Sequence, residues 1–156
     1  MKPARVIVIG ANAAGLSAAS QIKRQKPDWD VIVFEKGQYI SYGACGIPYY
    51  IQGLVPRLEN LMTLSPEKAV NERNLDLRLN HNVTAINRVV KNVKFEYEGK
   101  NEVCPYDYLV IATGASPRKD GISYSGSERI FTVNNLQDAR SLKIFIDTHS
   151  PVKCAV

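Results

Sequence analysis

VIVIGANAAG, residues 6 to 15, sets a β-branched apolar run against a glycine-bearing turn, and its reading decides the fold. The run belongs to ARVIVI (4–9), a continuous apolar segment of the kind buried on both faces of a parallel sheet. After Gly10, AAGLSAASQIKRQK (13–26) predicts a helix with small residues in its first turns, cations in its last and Pro27 as its stop. VIVF (31–34) repeats the buried-strand pattern. Strand, helix and strand make a βαβ unit, because parallel strands need such a crossover.

The turn Gly10-Ala11-Asn12-Ala13-Ala14-Gly15 is a GxGxxG with Asn12 at the middle glycine. In a dinucleotide site the first glycine allows the tight turn, the second admits the pyrophosphate, and the third lets helix pack on strand. Two of those roles are filled here. The helix N-terminus then offers N–H groups and partial positive charge to phosphate. Glu35 closes the second strand, where a carboxylate accepts hydrogen bonds from a ribose and disfavours one carrying an extra phosphate. A dinucleotide site over residues 10–15 and Glu35 is the expectation.

Further along, PEKAVNER (66–73) predicts a helix with Ser65 as N-cap and Pro66 at its first position. From 75 the pattern shifts to short alternating runs, DLRL, VTAINRV and NVKFEY, which read as antiparallel strands of a meander near 75–104. PYDYLVIATG (105–114) returns to a buried strand, and LQDARSLKIFI (136–146) reads as an amphipathic helix. VKCAV (152–156) has the character of another buried strand. The fold class is therefore α/β, Rossmann-like, a parallel sheet with an inserted antiparallel meander and an incomplete architecture. Residues 1–150 form one domain, and 151–156 open the first strand of the next.

At 156 residues, 45% apolar and 22% charged, the chain is globular in composition. It has no apolar run of about 18 residues and no charged-then-apolar leader, so neither a membrane span nor an export signal is expected, and a cytoplasmic location follows. The net charge of +5 comes from scattered residues rather than a basic stripe, which argues against nucleic acid. Cys45, Cys104 and Cys154 lie far apart without metal-ligand spacing, so no metal site and no disulfide framework are expected. His81 and His149 read as surface or meander residues. No internal repeat is visible.

SYGACGIPYY (41–50) holds Cys45 between flexible residues and a stretch able to start a short helix. A thiol at a helix N-terminus has its thiolate stabilised and becomes a nucleophile for disulfide exchange. A lone cysteine is more often a small buried hydrophobe. The residues of this segment alone leave both readings open.

Four segments together, VIVIGANAAG, VIVFEK, SYGACGIPYYIQG and YDYLVIATGASPR, resemble the flavin-dependent pyridine nucleotide-disulfide oxidoreductases. The likeness is to their single-cysteine branch: coenzyme A-disulfide reductases, NADH oxidases and NADH peroxidases. It runs over nearly the whole chain, and its last two segments are its most specific. The resemblance implies that the dinucleotide is FAD, with Gly10, Ala11, Asn12, Ala13, Ala14 and Gly15 under its pyrophosphate. Glu35 and Lys36 would lie at the adenosine ribose, Val83 at the adenine, and Ala112, Thr113 and Gly114 beside the flavin. Cys45 becomes the redox residue. The resemblance also places Ser41 beside cofactor and substrate, and Arg24 against the phosphates of coenzyme A, a contact suited to guanidinium.

Two-cysteine relatives use CxxxxC, whereas Tyr50 stands five residues after Cys45 here. Oxidase and peroxidase members carry a histidine in the glycine turn where this chain has Ala13, which favours a disulfide reductase. Ala44, where the best-matching relatives often have Asn, is a departure that bears on the substrate thiol. The implied function is the FAD-binding part of an NAD(P)H-dependent reductase of coenzyme A disulfide or a related persulfide. The alternatives are an NADH oxidase or peroxidase working through a cysteine sulfenic acid, and a non-catalytic flavin-binding module. The family resemblance further implies a homodimer, and a site for NADH or NADPH outside this chain.

Overall fold

The structure is a computed structural model, and it describes residues 3–118 and 129–154. In chain order the elements are β1 (Arg5–Ile9), α1 (Ala13–Gln25), β2 (Asp30–Phe34), α2 (Ile47–Gln52), α3 (Pro66–Asn71), β3 (Asp76–Arg78), β4 (Asn82–Asn87), β5 (Asn92–Tyr97), β6 (Lys100–Pro105), β7 (Tyr108–Ile111) and α4 (Leu136–His149). β3, β2, β1 and β7 lie in that order in one sheet, all pairs parallel. β4, β5 and β6 form a separate antiparallel sheet. The α/β architecture with an antiparallel meander is as the sequence implies.

The apolar run of β1 is divided by its pleat between two cores. Val6 and Val8, with Val31 and Val33 of β2, pack with Leu16 and Ala19 of α1 and with Ile40, Leu64, Ala69 and Leu75. Ile7 and Ile9, with Ile32 and Phe34, pack instead with Val93, Phe95 and Cys104 of the meander. Helix thus covers one face of the sheet and meander the other, which is why neither face of these strands reads as polar. Each fully buried Val, Ile or Phe here stabilises the fold by about 1.5–3 kcal/mol.

The meander differs from the sequence reading in its membership. DLRL belongs to the parallel sheet: Ile32, Val33 and Phe34 pair with Asp76, Leu77 and Arg78. Its alternation is real, since Leu75 is buried in the first cluster and Leu77 and Leu79 pack against it. Period two, however, says nothing about which sheet a strand joins. The third meander strand is instead KNEVCP, reached from β5 by a turn at Glu98 (φ +49) and Gly99 (φ +74). Paired positive φ values are those of a tight hairpin turn. Only Cys104 of β6 is buried, so the strand carries little apolar alternation to read.

Helix ends differ by a few residues. α3 stops at Asn71 with Glu72 as its cap, and α4 runs on to His149, where Ser150 adopts φ +43. The predicted Ser65 cap forms, accepting from the Lys68 N–H, and α4 is capped by Asn135, which accepts from the Asp138 N–H. Residues 151–154 carry no strand. A parallel strand exists through its ladder, and no strand pairs with this run among the described residues; Ala155 and Val156 lie outside them.

By contact the chain divides into two compact units. One comprises Met1–Tyr42 and Thr63–Gly114, and contains both sheets with α1 and α3. The other comprises Gly43–Met62 and Ala115–Val156, in which α2 packs against α4.

Candidate functional site

In the first unit the glycine turn is a packed junction. Gly10 sits at φ +103, a conformation that L side chains rarely adopt, and a Cβ there would collide with the Ala112 carbonyl oxygen. A Cβ on Gly15 would collide with the carbonyl oxygen of Gly10. Glycine at both ends is therefore required by packing before any ligand is considered. The Gly10 N–H donates to the Phe34 carbonyl, and the Ala112 N–H to that of Ile9, so β1, β2 and β7 converge on this turn at their carboxyl ends. In open parallel sheets that is where ligands bind.

Glu35 faces the same turn. Its Oε2 accepts from the Ala11 N–H at 2.8 Å and its Oε1 from the Gly37 N–H at 2.8 Å. A carboxylate has about four acceptor positions. Both oxygens therefore remain able to accept from a ribose while the backbone fixes their direction. Lys36 follows, exposed.

Asn12 is the N-cap of α1, but its side chain does not cap the helix, and the first turn holds no acidic residue. The first-turn N–H groups, those of Ala13, Ala14 and Gly15, are left with the partial positive charge of the helix end, an arrangement that fits a pyrophosphate. The Asn12 Oδ1 instead accepts from the Tyr42 N–H at 3.2 Å. The residue that replaces the middle glycine thus ties the turn to the segment before Cys45. Beside it, the Ser41 N–H donates to the Ala11 carbonyl at 3.0 Å.

Ser41 has φ +43, left-handed for a residue with a Cβ. Such a backbone is strained by about 1–3 kcal/mol and persists only where its surroundings hold it. Here Thr63 holds it: the Thr63 N–H and Oγ1 both donate to the Ser41 carbonyl at 2.7 Å, and the two hydroxyl oxygens lie 2.8 Å apart. Sequence reasoning missed Thr63, because LMTLSPEK shows only the approach to a helix.

The other expected residues are placed unequally. Thr113 lies beside the turn, its N 3.4 Å from where a Gly10 Cβ would stand, and Gly114 follows at φ +67. Val83, next to a β-bulge, packs against the cluster containing Phe34, the residue before Glu35. Arg24 is exposed in the last turn of α1. It stands roughly 16 Å along the helix from the glycine turn at 1.5 Å per residue. The geometry does not bring it to that turn.

In the second unit Cys45 lies in a 3₁₀ turn, Ala44–Gly46, with α2 starting at Ile47. The Gly43 N–H donates to the Leu61 carbonyl at 2.9 Å, and a Cβ on Gly46 would strike the Leu61 side chain, so the cysteine segment is pinned against the turn at Leu58–Leu61. Cys45 is exposed and free. It is no buried hydrophobe. Cys104 is, and burial pushes its thiol pKa up against the opposing pull of Arg78 and Arg5. A buried, protonated thiol is a poor nucleophile.

Among the described residues no group of His, Cys, Asp and Glu could hold a metal ion, and no helix is long and apolar enough to cross a membrane. The family described as pyridine nucleotide-disulphide oxidoreductase matches residues 4–149. The NAD(P)H sulfur oxidoreductase (CoA-dependent) of Pyrococcus abyssi is 39% identical over 142 residues, 91% of this chain and 31% of the relative. The coenzyme A disulfide reductase of Staphylococcus haemolyticus is 32% identical over 154 residues, 97% of this chain and 34% of the relative. The crystal structure of reduced Bacillus anthracis CoADR-RHD superposes with a TM-score of 0.89 at 29% identity, covering 97% of this chain and 28% of that one. The chain thus spans about a third of the length of the curated relatives it matches.

Proposed function

The chain belongs to the pyridine nucleotide-disulphide oxidoreductase family, and from that premise we propose that it is the FAD-binding segment of an NAD(P)H-dependent reductase acting on coenzyme A disulfide or a related persulfide through Cys45. The observation that carries this reading is the continuity of the dinucleotide turn with the cysteine segment. Ser41 and Tyr42 are hydrogen-bonded to Ala11 and Asn12, and Cys45 stands exposed three residues on. The relatives named above support the sulfur substrate.

The α1 N-terminus would hold the pyrophosphate of FAD, and Glu35 its ribose. When bound, FAD supplies a two-electron path from a reduced nicotinamide to sulfur. NAD(P)H itself would be held by another part of the full-length protein. The Cys45 thiolate attacks one sulfur of the disulfide, forming a mixed disulfide and releasing one coenzyme A thiolate, which takes a proton. Two electrons then cleave the mixed disulfide, regenerating the Cys45 thiolate and a second coenzyme A. The sum is one disulfide, one NAD(P)H and one proton giving two thiols and NAD(P)⁺. Tyr50 supplies no second sulfur five residues after Cys45, so in this reading the sulfur partner of Cys45 is that of the substrate.

The test is the intact mass of the full-length protein purified without reductant, before and after dithiothreitol. A reducible adduct of coenzyme A mass that disappears in Cys45→Ser is the expected result. An oxygen-bearing Cys45 would instead point to sulfenic acid chemistry, and an unmodified one would overturn the coenzyme A mixed disulfide in favour of an oxidase or a persulfide reductase.

A further inference from the structure

We propose that Asn12 is a positioning residue that couples the dinucleotide turn to Tyr42: by giving its side-chain oxygen to the Tyr42 N–H rather than to its own helix, it keeps the N-terminus of α1 open to pyrophosphate. The inference rests on the FAD reading above and concerns what holds that site open.

An asparagine at an N-cap ordinarily turns its side-chain oxygen onto the N–H of the second or third helical residue, here Ala14 or Gly15. Asn12 has the extended backbone of such a cap, φ −95 and ψ −161, yet makes no capping bond. Its Oδ1 accepts from the Tyr42 N–H at 3.2 Å instead. A backbone N–H can only donate, so the atom facing it is the oxygen and not the amide nitrogen. The Ser41 N–H, bonded to the Ala11 carbonyl, holds Tyr42 within reach. Ala13 and Ala14 are exposed, so the helix end that Asn12 leaves uncapped faces outward.

Only side-chain torsions separate this arrangement from a self-capped one, because the backbone already suits both. In the first, Tyr42 is held and the first-turn N–H groups are free. In the second, Tyr42 loses its partner and the cap occupies a donor that phosphate would use. A pyrophosphate favours the first arrangement and thereby the hold on Tyr42, and the hold on Tyr42 favours the pyrophosphate by the same factor.

The test uses the full-length protein stripped of flavin and titrated with FAD, followed by flavin fluorescence. Asn12→Ala can neither cap nor reach Tyr42. Asn12→Ser is a strong cap whose hydroxyl is too short to reach Tyr42, so it should bind FAD about fivefold more weakly than Asn12→Ala, the effect of one capping bond. A side chain that merely touched the phosphates would give the opposite order, since a serine hydroxyl can donate to phosphate and alanine cannot. In the unmodified protein, saturating FAD should slow hydrogen exchange of the Tyr42 amide by up to the same factor, and that slowing should be lost in Asn12→Ala. Asn12→Ser binding as tightly as Asn12→Ala, Tyr42 exchange indifferent to FAD, or slowing that persists in Asn12→Ala would overturn the inference while leaving the FAD reading intact. Failure of the stripped, unmodified protein to take up FAD would overturn that reading and the coupling with it.

Discussion

Gly10 and Glu35 show how few atoms define the dinucleotide turn. At Gly10 a methyl group would meet the Ala112 carbonyl oxygen from a backbone at φ +103, so Gly10→Ala combines strain with overpacking. A loss of roughly 3 kcal/mol or more in unfolding free energy is expected. Denaturant titration followed by the fluorescence of Trp29, the single tryptophan, measures it; a variant as stable as wild type would mean that the turn relaxes freely. Glu35→Gln preserves shape but replaces one acceptor with a donor. One of the Ala11 and Gly37 N–H groups then faces an amide N–H. The expected loss is about 1–3 kcal/mol of stability, with flavin affinity weaker by about tenfold or more in a fluorescence titration. Unchanged affinity would remove Glu35 from the cofactor site. At this scale the sequence was most informative where a residue has one job, as at Gly10, Gly15 and Glu35. It was silent where the job is a partner's: nothing in the letters links Asn12 to Tyr42 or Thr63 to Ser41, because those bonds join residues 30 and 22 positions apart.

Among the elements, β1 and β2 were legible because burial on both faces leaves a run of apolar residues that few other structures produce, whereas β7, expected as a buried strand, is a half-exposed strand at the end of the sheet, because its apolar run does not record how many neighbours it has. β6 was not, since its residues are mostly exposed and its identity comes from pairing with β5. DLRL was legible as a strand and misassigned as to sheet, since a strand's pattern records its faces and not its edges. Helix lengths followed caps where a side chain made one, as at Ser65 and Asn135. Asn135→Ala should therefore lower stability by about 1 kcal/mol, read by denaturant titration; no change would mean that the N–H of Asp138 finds water instead. The meander also carries a pH dependence. The Cys104 thiol, 6% exposed, is raised in pKa chiefly by burial. Its unfolded counterpart loses a proton near pH 8.5, as an ordinary cysteine does. The folded state then binds more protons than the unfolded one, so the contribution of this group is complete below that pH and declines as pH rises through the folded value. Wild type should lose unfolding free energy faster than Cys104→Val as pH is raised above about 8.5, with parallel curves below. Parallel curves throughout would mean that Cys104 reaches solvent in the folded protein.

On the scale of the molecule, each compact unit is assembled from two separated stretches of chain, so the division between them has no linear signature: no low-complexity segment marks residues 42–43, 62–63 or 114–115. Among the described residues, β7 is the last strand of the parallel sheet. β7 pairs with β1 on one side and with no other strand among the described residues. It presents Ile111 at 62% exposure and Tyr108 at 56%. An edge strand with exposed large apolar side chains offers hydrophobic area, and an edge for pairing, to another copy. Opposing this is the net charge of +5, whose repulsion reaches about 10 Å at 0.1 M salt and less as salt is added. The two terms scale differently. For the 156-residue chain, self-association should therefore be weak at low ionic strength and increase with salt, as read by sedimentation velocity. Ile111→Lys removes apolar area and adds charge at the edge itself, so it should suppress the salt-induced association while leaving the Trp29 unfolding transition in place. If the lysine variant associates as wild type does, the contact lies elsewhere on the surface; if wild type stays monomeric at every salt concentration, the edge of β7 is already protected within the chain.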